Sequence, residues 1–397
     1  MRLLCLTNLF PDTHQPWRGL DNVTLLHAMK AEMPEADIRV LCMRPGHGFW
    51  AGKTCPLQCR AGDESLHPSY HWTPYVPKFG GLNDRLYSLA VRRALKSLPQ
   101  GWKPEALLVP WLFPDACGVS RVSELEGLPL LSVAQGSDVH QYLDMPRRRK
   151  AILALSQRAH IITRSEDLRQ RLLRSQAPAE NVSTVYNGVD IHTFRPGDTQ
   201  EARQRLGLPA TPRILLFVGN FLPVKGLDLL IEATALLSQK TPVHLVLIGS
   251  GPLEPELRSL CQTRGLGPEQ VTFAGRKGPA EVAHYMRAAD AVCLSSLNEG
   301  VPNVLLEAFS SGRAFVSTAV GGISEITSLS PSGGFLVQGR QPADYAEALH
   351  RALSQPPDEV ALSTYAQSHS WTKCAQTYWQ QLFDLRKKLR NVRLYLK

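Results

Sequence analysis

An alternation of short apolar runs with helical stretches predicts an α/β protein built from two domains with parallel sheets. The chain has 397 residues, which is too long for one ordinary core and long enough for two α/β domains. Its composition, 43% hydrophobic and 20% charged residues, is that of a globular protein. A turn-rich stretch near the middle separates two series of strand and helix patterns. These observations together predict two α/β cores in succession.

The first series begins at the N-terminus. Residues 3–6 form a buried strand that ends at a polar loop, and residues 23–33 follow as a helix. The runs IRVLCM, ALLVPW and LLSVA predict further strands, separated by helices such as the one expected over residues 83–98. Strands that alternate with helices in this way form βαβ units and a parallel sheet.

The pattern pauses at NGVDIHTFRPGDTQ, close to Asn187, and a second series starts at ILLFVGN. It comprises a strand over residues 214–218, a helix over 227–237, and strands at HLVLIG and AVCLSS. Domains are therefore expected over residues 1–187 and 188–372. Residues 373–397 are expected to form a C-terminal helix with a basic tail that packs back towards the N-terminal domain.

Two carboxylates stand eight positions apart in NEGVPNVLLEAFSSG. Glu299 falls on a loop, and Glu307 falls in a helix for which Pro302 suits the first position and Gly312 the residue after the last. The helix N-terminus over residues 301–304 would attract an anion such as a pyrophosphate, and a carboxylate one turn further can accept hydrogen bonds from ribose hydroxyls. Taken alone, such glutamates are more often solvated helix residues.

The stretch AADAVCLSSLNEGVPNVLLEAFSSGRAFVSTAVGGISEI resembles the donor-site signature of retaining glycosyltransferase family 4. Five further stretches resemble the family and occur along the chain in the family's order: MRLLCLTNLFPDTHQPWRG, AQGSDV, VYNGVD, FVGNFLPVKGLDLLIEA and LVLIGSGP. The pattern is most similar to the polysaccharide-building branch with teichuronic-acid-type enzymes. The resemblance implies the GT-B fold, in which two Rossmann-like domains face each other across a cleft.

The resemblance also implies a donor site. Glu299 would hold the transferred sugar, Glu307 the ribose diol, and Lys225 the leaving diphosphate, which makes Glu299 and Lys225 the catalytic candidates. An arginine usual in the family is replaced here by Asn220, and compensation by Arg276, Arg18 or backbone N–H groups stays open. LIGSGP and FAGRK would frame the base. The full set of predicted donor-binding residues is Gly19, Asn220, Lys225, Arg276, Gly300, Val301, Pro302, Asn303, Val304 and Glu307.

On the acceptor side, Gln135 stands where many relatives carry a histidine, and Asp138 matches the acidic residue that follows. A glutamine cannot act as a general base at neutral pH, but its amide can orient a sugar hydroxyl. The expected reaction is retaining transfer of a hexose-type sugar from a nucleoside-diphosphate-sugar to a glycan or lipid-linked saccharide in cell-surface polysaccharide biosynthesis. Neither a metal nor another cofactor is expected.

The formal net charge is +9, with basic clusters from Arg147 to Lys150 and from Arg386 to Lys397. These clusters suit an anionic membrane surface or merely solvated helix faces, and nucleic acid is less favoured because no stacking aromatic residues accompany them. No apolar run approaches the roughly 18 residues of a membrane span. A cytoplasmic protein, peripheral at the inner face of the plasma membrane, is therefore expected.

The cysteines suggest no special chemistry. Cys5 and Cys293 fall in apolar strand-like runs, where cysteine behaves as a small buried hydrophobe. Cys55 and Cys59, followed by His67 and His71, do not have the usual spacing of zinc ligands.

Two other functions remain open. Gln135 and Asn220 are compatible with a weak or inactive homologue that binds a sugar nucleotide or glycan. Another GT-B activity, such as a sugar-nucleotide epimerase or a phosphorylase, is disfavoured by the Glu299 and Glu307 arrangement. The base, sugar and linkage cannot be read from this sequence.

Overall fold

The computed structural model describes residues 1–46, 52–77, 80–329 and 333–395, without the side chains of residues 328–329 and 392–395. The chain divides into two compact units. Unit 1 comprises residues 1–186 and 371–397, and unit 2 comprises residues 187–370.

Unit 1 is a parallel sheet with helices packed on it. The strand order is β3-β2-β1-β4-β5-β6-β7, and β1 pairs in parallel with both β2 and β4. Its strands and α-helices are β1 (Arg2–Thr7), α1 (Leu20–Glu32), β2 (Asp37–Gly46), β3 (Pro68–Pro74), α2 (Asn83–Ala94), β4 (Ala106–Val109), α3 (Cys117–Val119), β5 (Leu130–Ala134), α4 (Ser137–His140), α5 (Pro146–Ser156), β6 (His160–Thr163), α6 (Glu166–Arg174) and β7 (Val182–Thr184).

Unit 2 repeats the architecture with six strands in the order β10-β9-β8-β11-β12-β13. Its elements are α7 (Thr199–Leu206), β8 (Arg213–Val218), α8 (Leu227–Ser238), β9 (Val243–Ile248), α9 (Glu254–Thr263), β10 (Val271–Gly275), α10 (Pro279–Ala288), β11 (Ala291–Leu294), α11 (Asn303–Ser310), β12 (Ala314–Thr318), α12 (Ile323–Leu329), β13 (Gly334–Val337), α13 (Pro342–Ser354) and α14 (Glu359–Gln367).

The last helix, α15 (Trp371–Tyr395), belongs to unit 1 and packs on α1. Tyr378, Trp379 and Leu382 are buried in the same cluster as Met29 of α1. The Trp379 indole Nε1 donates a hydrogen bond to the Met29 carbonyl at 2.8 Å. Residues from the end of the chain thus complete a core that its first residues begin.

The inner strands β4, β5, β9, β11 and β12 are buried along their whole length, as expected for parallel sheets covered by helices. The edge strands β3, β7, β10 and β13 are only partly buried. Cys5 of β1 and Cys293 of β11 are fully buried, which confirms their interpretation as core residues. Several predicted elements extend further or end earlier than expected. The first helix begins at Leu20 rather than at residue 23, and the helix predicted over 83–98 ends at Ala94 and continues as a short 3₁₀ turn, Leu95–Ser97.

Candidate functional site

The candidate site of unit 2 lies where the strand order reverses. Strand β8 has β9 on one side and β11 on the other, so the loops that follow β8 and β11 leave neighbouring strands in different directions. Ligands in open parallel sheets bind beyond the carboxyl ends of strands at such a switch point. Lys225 lies in the loop after β8, and Glu299 lies in the loop after β11.

The structure brings these two predicted residues into direct contact. The Lys225 Nζ lies 2.5 Å from the Glu299 Oε1, and both side chains are largely shielded from solvent, at 23% and 11% exposure. The Ser296 hydroxyl donates to the same Glu299 oxygen at 2.6 Å. One carboxylate oxygen therefore receives both an ammonium and a hydroxyl, so the carboxylate position is fixed from two sides.

The Lys225 loop is held by backbone contacts to the Glu299 loop. Lys225 ends a short 3₁₀ turn rather than starting a helix, because Gly226 adopts a left-handed conformation (φ 55°) and α8 begins only at Leu227. The Ser295 hydroxyl donates to the Lys225 carbonyl at 3.1 Å. Arg340 Nη1 in turn donates to the Ser295 carbonyl at 2.8 Å. The ion pair is thus supported by backbone on both loops.

Glycines shape the Glu299 loop from its other side. Gly321 has φ 55°, and a Cβ there would lie 1.7 Å from the Glu299 carbonyl oxygen. The next residue, Gly322, donates its N–H to the Gly300 carbonyl at 3.2 Å. The close approach of the two segments requires the absence of a side chain at position 321.

Helix α11 begins directly after this loop. The prediction of Pro302 as the first helical residue is wrong: its ψ of 129° is extended, so it occupies the N-cap, and Asn303 is the first helical residue. Among the described residues no side chain accepts a capping hydrogen bond at this N-terminus. Val301 and Val304 are buried and anchor the first turn, while Glu307, one turn further, is half-buried.

The Asn303 side chain is already engaged. The Asn187 Nδ2 donates to the Asn303 Oδ1 at 2.7 Å, within the same unit. Gly300, by contrast, has open space where a Cβ would project. The predicted stretch from Gly300 to Val304 therefore contains one half-buried glycine with open space beside it and one side chain tied to the unit's first residue.

Two other predicted phosphate ligands follow β8 and β10, the strands on either side of β9. Asn220 is exposed after β8, and its carbonyl accepts the Leu222 N–H at 3.0 Å. Arg276 follows β10 and donates from Nε to the Ser250 hydroxyl at 2.6 Å. Both stand at the same sheet edge as Lys225, but nothing places them in contact with it.

Gly19 belongs to unit 1. It caps α1 with φ 67°, and a Cβ there would lie 2.2 Å from the Leu9 carbonyl oxygen. The same carbonyl accepts the Asn22 Nδ2 at 2.9 Å. Local packing alone therefore requires glycine at this position, whichever ligand the loop meets.

The predicted acceptor residues lie close together after β5, with Gln135 in the loop and Asp138 in the short helix α4. Asp138 is fully buried, and its carboxylate accepts backbone N–H groups of Gln135, Gly136 and Leu112 at 2.9–3.3 Å. Burial raises the pKa of Asp138 to about 6 against the lowering effect of these bonds. The Gln135 Nε2 donates to Asn22 Oδ1 at 2.9 Å and to the Pro110 carbonyl at 2.5 Å. Asp138 thus shapes the loop that carries Gln135.

A cavity of about 240 Å³ opens in unit 1 at its own switch point, beyond the ends of β1 and β4. Tyr75, Trp111 and Tyr142 line it, together with Arg18 and Asp115. Burial, with a smaller contribution from the nearby Asp138 carboxylate, raises the pKa of Asp115 to about 7, although Asn8 donates to Asp115 from its backbone and side chain, which lowers it. Sequence analysis missed this cavity, because Tyr75, Trp111 and Tyr142 come from three separate loops.

The two basic clusters are only partly available to a partner. Arg148 is buried, with its guanidinium 4.3 Å from the Tyr142 ring centroid, whereas Arg147, Arg149 and Lys150 are exposed. Arg386 donates to Glu105 at 2.6 Å. Residues 396–397 of the predicted tail lie outside the described residues. One residue of each cluster is therefore used within unit 1 itself.

Sequence reasoning also missed Ser296 and Arg340. Ser296 stands three residues before Glu299 and falls inside the stretch that resembles a donor site, so its position was a usable signal. Arg340 lies far along the chain and contacts the site through a backbone carbonyl, for which a sequence carries no local signal.

Within the described part of the chain, no group of three or more His, Cys, Asp or Glu residues is arranged to hold a metal ion. Of the helices in the described residues, none combines the length and the apolar character that a bilayer crossing requires.

Residues 198–369 match the family model described as glycosyl transferases group 1. The chain is 40% identical over 190 residues to a D-inositol 3-phosphate glycosyltransferase of Frankia alni, which covers 45% of this chain and 46% of that one. It is 34% identical over 265 residues to D-inositol 3-phosphate glycosyltransferase 1 of Catenulispora acidiphila. That alignment covers 64% of this chain and 63% of the relative. These matches span about half to two thirds of the relatives' length.

Solved structures share the fold. The sucrose-phosphate synthase of Thermosynechococcus elongatus superposes with a TM-score of 0.75 at 19% identity, covering 97% of this chain and 99% of that one. HepE of Anabaena in complex with UDP superposes with a TM-score of 0.72 at 19% sequence identity. The superposition covers 97% of this chain and 100% of HepE. The predicted fold class, α/β with two Rossmann-like domains as in GT-B proteins, is confirmed. The family match lies wholly inside unit 2.

Proposed function

We propose that this chain is a glycosyltransferase that moves a hexose-type sugar from a nucleoside-diphosphate-sugar to a hydroxyl of a glycan or lipid-linked saccharide. The observation that carries the proposal is the contact of Lys225 with Glu299 at the switch point, beside the start of α11. The family description of residues 198–369 supports a glycosyl transfer reaction. The UDP complex of the structural neighbour HepE supports a nucleotide-sugar donor.

In this reaction Lys225 and the N–H groups at the start of α11 receive the pyrophosphate, and Glu307 receives the ribose diol. The bond between the anomeric carbon and the phosphate oxygen breaks, and a bond to the acceptor oxygen forms on the same face. The acceptor's proton passes to the leaving phosphate. Positive charge already in place at the leaving group stabilises the transition state more than the ground state.

Glu299 has two tasks in this mechanism. Its Oε1 holds the Lys225 ammonium and the Ser296 hydroxyl, and its other oxygen is the one that would accept hydroxyl groups of the transferred sugar. The lysine that meets the leaving group and the carboxylate that meets the sugar are thereby positioned as one pair. We include in the proposal that the reaction is retaining and needs no metal, as in family 4, since Lys225 and the helix N-terminus supply the positive charge.

The acceptor is proposed to enter the unit 1 cavity. The faces of Tyr75, Trp111 and Tyr142 suit the apolar faces of a sugar or cyclitol ring, and Arg18 suits an anionic substituent. A glycan of cell-surface polysaccharide, of the teichuronic-acid type, is the first acceptor candidate. D-inositol 3-phosphate is the second, because the curated relatives carry its name and Arg18 could meet its phosphate.

The first test is a thermal-shift panel of UDP, GDP, ADP and their hexose conjugates. Selective stabilisation by one nucleotide is expected, and Glu307→Ala should abolish it, whereas Glu256→Ala on the exposed face of α9 should not. Stabilisation by none of them contradicts the proposed donor site.

The second test measures transfer with the stabilising donor, in EDTA, to a panel of glycosides and D-inositol 3-phosphate. Product with the same anomeric configuration as the donor is expected. Donor binding without product from any acceptor would favour the inactive-homologue function, and release of the sugar to inorganic phosphate would favour a phosphorylase.

A further inference from the structure

An exposed stripe of alternating apolar and basic side chains runs along α2. It consists of Leu82 at the N-cap, Arg85, Leu89, and Lys96 in the 3₁₀ turn that continues the helix; these four residues are called the α2 face. Their spacings of three, four and seven residues place them on one side of a helix. Leu82 is 50% and Leu89 44% exposed, while the opposite side of α2 packs into the core of unit 1.

Two neighbouring residues extend the α2 face at its N-terminal end. Val76 is 46% exposed and is fixed to the first residue of α2, because Asn83 exchanges two hydrogen bonds of 3.0 Å with its backbone. Arg147 lies against Gly81, where a Cβ would be 3.2 Å from the Arg147 Cδ. The surface therefore contains three apolar and three basic side chains.

The basic groups on this surface are not neutralised by the residues that the structure describes. No ion pair to an acidic side chain is formed there by Arg85, Lys96 or Arg147. The acidic residue of α2, Asp84, is buried and is bound by Arg121 at 2.7 Å. Glu124 is exposed nearby but pairs with Arg92 at 3.5 Å. A helix face with Arg and Lys interleaved with Leu has the composition of an interfacial helix face that contacts anionic headgroups.

We propose that the α2 face docks unit 1 on the surface of a bilayer that contains anionic phospholipid. The positive charge of the α2 face favours an anionic partner. The leucines between the charges favour a lipid surface over a nucleic acid, because surfaces that bind single-stranded nucleic acid carry aromatic rings on which the bases stack. Tyr75, which lines the unit 1 cavity, directly precedes Val76, so docking brings the rim of that cavity to the headgroups. Only this last consequence, delivery of a lipid-linked acceptor, rests on the proposed function.

The docking is tested without donor or acceptor, by sedimentation of the full chain with vesicles. Vesicles of phosphatidylcholine are compared with vesicles containing about one third phosphatidylglycerol. Binding is expected only to the anionic vesicles and should fall with added salt. The double variant Arg85→Gln, Lys96→Gln should lower the partition coefficient onto the anionic vesicles by about 25-fold, since each basic residue contributes about fivefold.

Matched variants control for net charge and for hydrophobicity. Arg205→Gln with Lys240→Gln removes two exposed charges from unit 2 and should leave binding unchanged. Leu82→Ser with Leu89→Ser should weaken binding, whereas Leu236→Ser with Val360→Ser, two exposed residues of unit 2, should not.

Three results would overturn the proposal. They are no binding to the anionic vesicles, equal losses in the α2-face and control variants, or tighter binding to a single-stranded oligonucleotide than to vesicles. Because all binding is scored without substrate, loss of glycosyl transfer leaves this test intact.

Discussion

The Lys225 ammonium and the Glu299 carboxylate form a 2.5 Å ion pair between loops that follow adjacent strands of unit 2. Since Ser296 donates to the same carboxylate oxygen, the pair has a defined geometry rather than that of a loose surface salt bridge. A pyrophosphate that binds Lys225 must share it with Glu299, so in the proposed reaction the pair would connect leaving-group binding to sugar binding.

Replacement of Lys225 tests this connection. Lys225→Ala should lower kcat by about 10²–10³-fold, as does the loss of one preorganised donor at a developing negative charge. Lys225→Arg should recover part of the rate, because it restores the charge without the same single-atom contact with Glu299. Steady-state kinetics on the nucleotide-sugar selected by the thermal-shift panel measures both. An unchanged kcat in Lys225→Ala would remove the residue from the mechanism.

Gly321→Ala should disrupt the Glu299 loop. Its φ of 55° disfavours a side chain, and the added Cβ would overlap the Glu299 carbonyl oxygen, so the loop must move. We expect loss of activity with destabilisation of about 1–3 kcal/mol, measured by denaturant unfolding. Gly278→Ala is the control, because its φ is negative and its Cβ position is open. Equal activity of the two variants would show that the Glu299 loop tolerates displacement.

The stability of unit 1 should depend on pH through Asp115. Its pKa in the folded protein is raised to about 7, so between about pH 4 and pH 7 the folded state retains a proton that the unfolded state has released. Stability from this group is complete below about pH 4 and is lost as pH rises through 7, by about 1.4 kcal/mol per pH unit.

Asp115→Asn should therefore flatten the fall in stability over that range, although the part due to Asp138 persists up to about pH 6. Urea unfolding followed by circular dichroism at several pH values gives the slopes. Asp344→Asn, at an exposed position of unit 2, should have the slope of the unchanged protein. Identical slopes in the Asp115 and Asp344 variants would contradict the raised pKa.

Trp379→Ala should destabilise unit 1 by about 3–5 kcal/mol, because it leaves a cavity against α1 and removes one of the two hydrogen bonds to the Met29 carbonyl. Phe383→Ala on the same helix, where the ring is 39% exposed, should cost much less. The difference in urea midpoint at constant m-value measures both. Similar costs at the two positions would mean that α15 is not anchored through Trp379.

The sequence predicted the alternation of strands and helices because each buried strand is a short continuous apolar run. The family resemblance also implied that Lys225 and Glu299 belong to one donor site, and the structure brings their side chains into contact. Pro302 was misplaced by one position because proline's fixed φ suits both an N-cap and a first helical residue, and only ψ separates them. The contact of Arg340 with the Ser295 carbonyl was not predictable, because any side chain of sufficient length can reach a backbone carbonyl.

The cavity beside Asp115 shows a second limit of prediction. Asp115 reads in sequence as an ordinary loop aspartate, and its raised pKa depends on complete burial by residues from several loops. Hydrophobic periodicity reports which face of an element is buried, but not which loops meet.

The return of the chain to unit 1 at Trp371 has a consequence for biosynthesis on the ribosome. Unit 2 is one continuous segment, so it can fold as soon as residue 370 has emerged. The core around Met29 must wait for Trp379 and Leu382, which are translated after all of unit 2. Until they emerge, the nascent chain therefore carries an incomplete first unit whose apolar α1 surface is exposed to chaperones, and a premature stop before residue 371 would leave it so permanently.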